Sequence, residues 1–165
     1  MVIGAPRSGT AWASNWLTTE KTLCMHEVLF THAPEDLDKV PCDRTLGVAD
    51  TGLMLFPEWV AAHPAKKVIL HREPRHIMAS LRRAGLEDAW QDWPRLLRSL
   101  PGLHVKWDVL FKDPAKITRH LFDSEPDMVR HALLAKLNVQ ADFEKIDPDP
   151  AVTRRLIERM RMDER

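Results

Sequence analysis

Short apolar runs alternate with longer stretches in which apolar residues recur at helical spacing. Met1-Val2-Ile3 opens the series, and Val68-Ile69-Leu70 is the clearest run in the middle of the chain. Reading runs, periods and breakers together predicts strands near 1–5, 23–27, 46–50, 67–71 and 103–107. The same reading predicts helices near 9–19, 52–63, 75–84, 87–99, 114–122, 126–137 and 150–161. Most prolines fall at or near these boundaries, where a missing N–H is tolerated. Strands alternating with helices imply an α/β fold of three layers, a central parallel sheet of about five strands covered on both faces. An uninterrupted apolar run such as 68–70 fits a strand buried on both sides.

Composition narrows this picture. A chain of 165 residues suggests one domain, residues 1–165, long enough to bury roughly two-thirds of its unfolded surface. Net charge is zero, which argues against a general nucleic-acid binder. Locally the balance is different: between residues 66 and 83, Lys66, Lys67, Arg72, Arg75, Arg82 and Arg83 face only Glu73, as expected of an anion site. Two cysteines, Cys24 and Cys42, give no disulfide framework and suit a reduced compartment. The N-terminal apolar run is too short for a signal peptide or a membrane span, so a cytoplasmic, non-membrane protein is expected. Residues 142–150 read as an exposed acidic turn.

The most informative segment is Gly4-Ala5-Pro6-Arg7-Ser8-Gly9-Thr10, between the first predicted strand and the first predicted helix. Strand, glycine loop and helix form a phosphate cradle, in which backbone N–H groups converge on an anion at the positive end of the helix. Gly4 and Gly9 keep the glycine spacing of a Walker A loop. Thr10, however, stands in the lysine position and Ala11 in the position of the magnesium-binding hydroxyl. The charge sits inside the loop, on Arg7. This pattern suits a phosphate-like group held without the usual metal ligand, and no metal is expected.

Pro6-Arg7-Ser8-Gly9-Thr10 resembles the 5′-phosphosulfate loop of the sulfotransferases, whose members carry a Pro-Arg/Lys-Ser-Gly-Thr core. Residues 68–80 resemble the same family's 3′-phosphate site, a strand ending in arginine, an acidic residue and proline, then a helix with a serine; Arg72 and Ser80 fall on those positions. Val105-Lys106-Trp107-Asp108-Val109-Leu110, followed by Asp113-Pro114, is similar to the family's late strand and aromatic-acid-x-Leu turn. The resemblance runs from Met1 to about Asp123. It implies a sulfotransferase-like domain of the P-loop nucleoside-kinase-like class. It also implies transfer of a sulfuryl group from 3′-phosphoadenylyl sulfate (PAPS) to a small-molecule or glycan acceptor bearing a hydroxyl or amine.

On that reading Arg7 and the backbone N–H groups of Ser8, Gly9, Thr10 and Ala11 hold the 5′-phosphate and the transferring sulfonate, while Arg72 and Ser80 hold the 3′-phosphate. Arg75 either assists or is a solvated first-turn residue. The acceptor must lose a proton, which calls for a general base within reach. Many bacterial and Golgi-type relatives place a glutamate soon after the first helix. Glu27 stands there, with His26 the second candidate and Asp50 a third. Adjacent strand residues point to opposite faces, so only one of His26 and Glu27 is expected to face the site. Each also has a plainer reading, Glu27 as a solvated strand-end carboxylate, Arg72 as a salt-bridge partner and Ser80 as an ordinary helical serine. Most of the six tryptophans are expected in the core; Trp90 and Trp93 are plausible acceptor or adenine contacts. The chain departs from the cytosolic branch in having no glycine after Gly102, which leaves either Arg154 and Arg155 or a more open site where a late loop would close. Two rivals remain, a small P-loop nucleotide kinase and a non-catalytic nucleotide-binding module.

Overall fold

The computed structural model describes residues 1–83 and 93–137. Five strands, β1 (Val2–Gly4), β2 (Thr22–His26), β3 (Thr45–Asp50), β4 (Val68–His71) and β5 (Leu103–Lys106), form one sheet in the order β2-β3-β1-β4-β5. Every pairing is parallel. Helices α1 (Thr10–Leu17), α2 (Pro57–Ala62), α3 (Pro74–Arg83), α4 (Trp93–Ser99), α5 (Val109–Lys112), α6 (Pro114–Phe122) and α7 (Met128–Lys136) flank it. The α/β architecture expected from the alternation is therefore present.

Strand alternation splits the core into two layers. Ile3, Val48 and Ile69 pack with Val60 of α2, Ile77 and Leu81 of α3 and Leu97 of α4. Val2, Ala49, Val68, Leu70 and Val105 pack with Trp12 and Trp16 of α1, Leu110 of α5 and Ile117 of α6. Val68, Ile69 and Leu70 are all fully buried, as a strand covered on both faces requires. Helix α1 thus leaves β1 toward one face, while the chain leaves β3 toward the other. Open α/β sheets bind ligands at such a switch point, outside the C-terminal strand ends. Here it lies between β1 and β3.

Three expectations need correction. The helix predicted over 52–63 is a 3₁₀ turn, Gly52–Leu55, followed by α2. Phe56 lies outside the helical region at φ −118°, ψ 57°, and Pro57 supplies the N-terminal residue of α2 because it has no N–H to continue the earlier turn. Trp93 is not at an open site: it is 5% exposed and packs in the layer containing Leu97 and Leu100. The strand predicted over 23–27 ends at His26. Trp90, the first part of the 87–99 helix, the 142–150 turn, the 150–161 helix, Arg154 and Arg155 lie outside the described residues. Cys24 and Cys42 are free thiols; burial pushes that of Cys24 up to about 12.

Candidate active site

The loop after β1 folds as a tight cradle. Its first turn closes when Ser8 N–H donates to the Ala5 carbonyl at 3.0 Å. Arg7 and Gly9 both take left-handed backbone, at φ 68° and 98°. For Gly9 this is the conformation glycine adopts without cost. A Cβ there would also stand 3.0 Å from a Leu110 methyl and 3.1 Å from Trp107 Nε1. A Cβ on Gly4 would overlap Ser8 Oγ, so the first glycine makes room for the loop's own serine. Gly9 caps α1, and its carbonyl takes the first helical hydrogen bond from Ala13 at 2.8 Å. The N–H groups of Thr10 and Ala11 precede that bond and have no partner within the helix, at its positive end.

Arg72 follows β4 and reaches this loop. Its guanidinium donates to the Arg7 carbonyl and lies over the Trp107 ring, 4.7 Å from the centroid. The Trp107 backbone N–H donates to the His71 carbonyl at 2.7 Å, so the ends of β4 and β5 hold the pair together. Burial lowers the Arg72 pKa, yet an arginine stays charged at any working pH. Among the described residues, two buried side-chain polar atoms have no hydrogen-bond partner: Ser8 Oγ and Arg72 Nε. Both belong to this cradle and to the arginine that braces it. Orphaned buried polar groups are rare and mark a strained or ligand-binding place. Ser80 lies two turns into α3, on the buried face that also carries Ile77 and Leu81, whereas Arg75 is exposed in the first turn.

A second cluster sits beside the loop, at the ends of β2 and β3. Glu27 has left the strand and adopts φ 51°. This left-handed turn overturns the expectation that His26 and Glu27 face apart. Strand alternation no longer applies, and His26 Nε2 comes within 3.4 Å of Glu27 Oε1. The same nitrogen is 3.3 Å from Thr10 Oγ1, which ties the pair to the phosphate loop. Thr51 holds the other side, donating its hydroxyl to Glu27 Oε2 at 2.8 Å and its N–H to Oε1 at 3.3 Å.

Burial, followed by the nearby Asp50 carboxylate, pushes Glu27 up to about 8, against the opposing hydrogen bonds from Thr51 and Thr10. Burial also lowers His26, so both shifts favour the neutral forms of the two groups. His26 keeps about a third of its side chain open to solvent. Asp50 has a different task. It is 1% exposed, accepts from Leu29 N–H at 3.0 Å and from Gly52 N–H at 2.6 Å, and so pins the turns that follow β2 and β3. A carboxylate that accepts from two backbone turns is an anchor for both.

No family model and no curated protein matches this chain. Among the described residues, no helix is long and apolar enough to cross a membrane. Two site residues escaped sequence reasoning. Trp107 was visible only as the aromatic of the late turn; its contact with Arg72 and Gly9 is tertiary. Thr51 carries no local signal beyond following Asp50.

Proposed function

We propose that the chain transfers a sulfuryl group from PAPS to a hydroxyl or amine acceptor. The observation that carries this reading is the cradle around Arg7, whose braced arginine and loop serine hold the two orphaned buried polar atoms. These residues fit an anionic nucleotide: fixed N–H donors at a helix start, a glycine packed too tightly for a Cβ, and a charged guanidinium with an unused donor. When bound, the donor supplies the sulfuryl group and, as leaving group, its own 5′-phosphate. Arg7 and the N–H groups of Gly9, Thr10 and Ala11 hold the phosphate end and stabilise charge that grows there during transfer. Arg72 and Ser80 hold the 3′-phosphate. Ser8 contributes through its orphaned hydroxyl, since its N–H closes the loop.

Glu27 takes the acceptor proton as the acceptor attacks, and His26, about a third of its side chain open to water, passes that proton out. A base must first be unprotonated, so transfer rises with pH through the Glu27 titration, toward about pH 8. The kinase alternative is disfavoured by Thr10 and Ala11, which supply neither the lysine nor the magnesium ligand of a Walker A loop. The test is transfer of labelled sulfuryl from PAPS to a panel of hydroxyl and amine acceptors, run beside magnesium–ATP turnover. Transfer with no ATP turnover supports the reading, and the reverse result refutes it. Nucleotide binding with neither activity would assign a non-catalytic module.

A further inference from the structure

Glu27 follows the last residue of β2 and caps the short 3₁₀ turn Val28–Phe30. Its backbone has left β2 in a left-handed turn, fixed by one hydrogen bond from its N–H to the Ala49 carbonyl at 3.2 Å. A glutamate side chain has three rotatable bonds, and freezing them is costly unless partners fix the carboxylate. Four neighbours face it: His26 from β2, Thr10 from α1, and Asp50 and Thr51 from the end of β3. Asp50 repels it and is itself pinned by Leu29 and Gly52. His26 touches one oxygen at 3.4 Å. Thr10 adds one side-chain hydrogen bond, whereas Thr51 donates to both carboxylate oxygens, from the hydroxyl and backbone N–H of a single residue. A two-point grip defines both position and rotation of a planar carboxylate, whereas a single contact leaves it free to turn.

We propose that Thr51 is a positioning residue for the transfer reaction, holding the Glu27 carboxylate beside the phosphate loop in the orientation that receives the acceptor proton. This rests on the sulfuryl-transfer reading for its consequence in rate, though not for its geometry. Adjacent residues at the end of β3 then divide the work. Asp50 fixes the backbone turns, and Thr51 fixes the reacting side chain. A hydroxyl that donates to a carboxylate favours the charged form, so its removal leaves Glu27 harder to ionise as well as less well aimed.

The experiment uses the full chain with ¹³C-labelled glutamate carboxyls, the Glu27 resonance being assigned by its loss in Glu27→Gln. Thr51→Val is isosteric and removes only the hydroxyl. In Thr51→Val the Glu27 titration midpoint should rise above that of the parent. Transfer near neutral pH should fall roughly two- to tenfold, the range of one lost hydrogen bond, and recover as pH rises. KM for the donor should not change. Thr51→Ser keeps the hydroxyl and should titrate and turn over as the parent does. Thr51→Ala should follow valine, and it carries the same test should valine not fold. Parent-like titration in both hydroxyl-free variants, or valine-like titration in Thr51→Ser, would overturn the proposal. If no acceptor is ever sulfated, the sulfuryl-transfer reading fails, and the titrations still decide what Thr51 does to Glu27.

Discussion

Two corners at the C-terminal edge of the sheet are built from opposite solutions to the same problem. Each contains a non-glycine residue in left-handed backbone, Arg7 in one and Glu27 in the other. Around Arg7, Ser8 Oγ and Arg72 Nε are buried without partners, although Arg72 has been fixed by Trp107 and the Arg7 carbonyl. Around Glu27, both carboxylates are supplied with donors from within the chain, Asp50 from Leu29 and Gly52, Glu27 from Thr51. On the proposed function, the first corner is arranged around a group the protein receives. The second is arranged around carboxyl groups the protein already owns. Strain of this kind persists only where surrounding structure over-determines it, and here the two strained residues meet through Thr10, whose hydroxyl reaches His26.

The largest way to break this contrast is Glu27→Gln. It preserves shape and removes the proposed base, so transfer should fall by about 10²–10⁴ while affinity for adenosine 3′,5′-bisphosphate stays at the parent level. Stopped assays at saturating donor, with calorimetry for binding, separate the two. Near-parent transfer would move the search to His26→Asn.

Asp50→Ala should be the most damaging change to the fold. It leaves the buried Leu29 and Gly52 N–H groups unpaired, at a cost of about 2–4 kcal/mol in urea unfolding. It also removes a like charge, so the Glu27 titration should move down. A smaller effect is expected of Gly9→Ala. Left-handed backbone and the close Leu110 and Trp107 contacts together predict a loss of about 1–3 kcal/mol in thermal unfolding, with weaker nucleotide binding.

A further effect is one of pH, and it runs against activity. Glu27 is raised from 4.5 in the unfolded chain to about 8 in the folded one. Folding therefore favours its protonated form, and its contribution to stability is fully present below pH 4.5 and lost as pH rises through about 8. The stability of Glu27→Gln relative to the parent should grow between pH 5 and pH 8. A difference that is flat with pH would mean that Glu27 ionises freely in the folded protein.

Much of the sheet was legible because its signals are local. Val68-Ile69-Leu70 announces a strand buried on both faces, and Gly4 and Gly9 announce the loop by spacing alone. Strand order was not legible, since it depends on which face each crossover covers. The Glu27 corner was misread for a related reason. A glutamate after a strand has no sequence mark for left-handed backbone, so alternation wrongly separated it from His26. Thr51 is 24 residues from the carboxylate it holds, and nothing in the sequence near either residue points to the other. Trp93 looked like a site residue only because a buried and a ligand-stacking tryptophan are chemically alike.

The central claim is that the loop and Arg72 await a nucleotide carrying a 3′-phosphate. Titration calorimetry of the full chain against adenosine 3′,5′-bisphosphate and AMP, each with and without EDTA, tests it most directly. Charge-assisted contacts of about 1.5–3 kcal/mol each predict at least tenfold tighter binding of the bisphosphate. With Ala11 in the magnesium position, both affinities should be indifferent to the chelator. Equal affinity for the two nucleotides would contradict the claim, as would binding that EDTA abolishes.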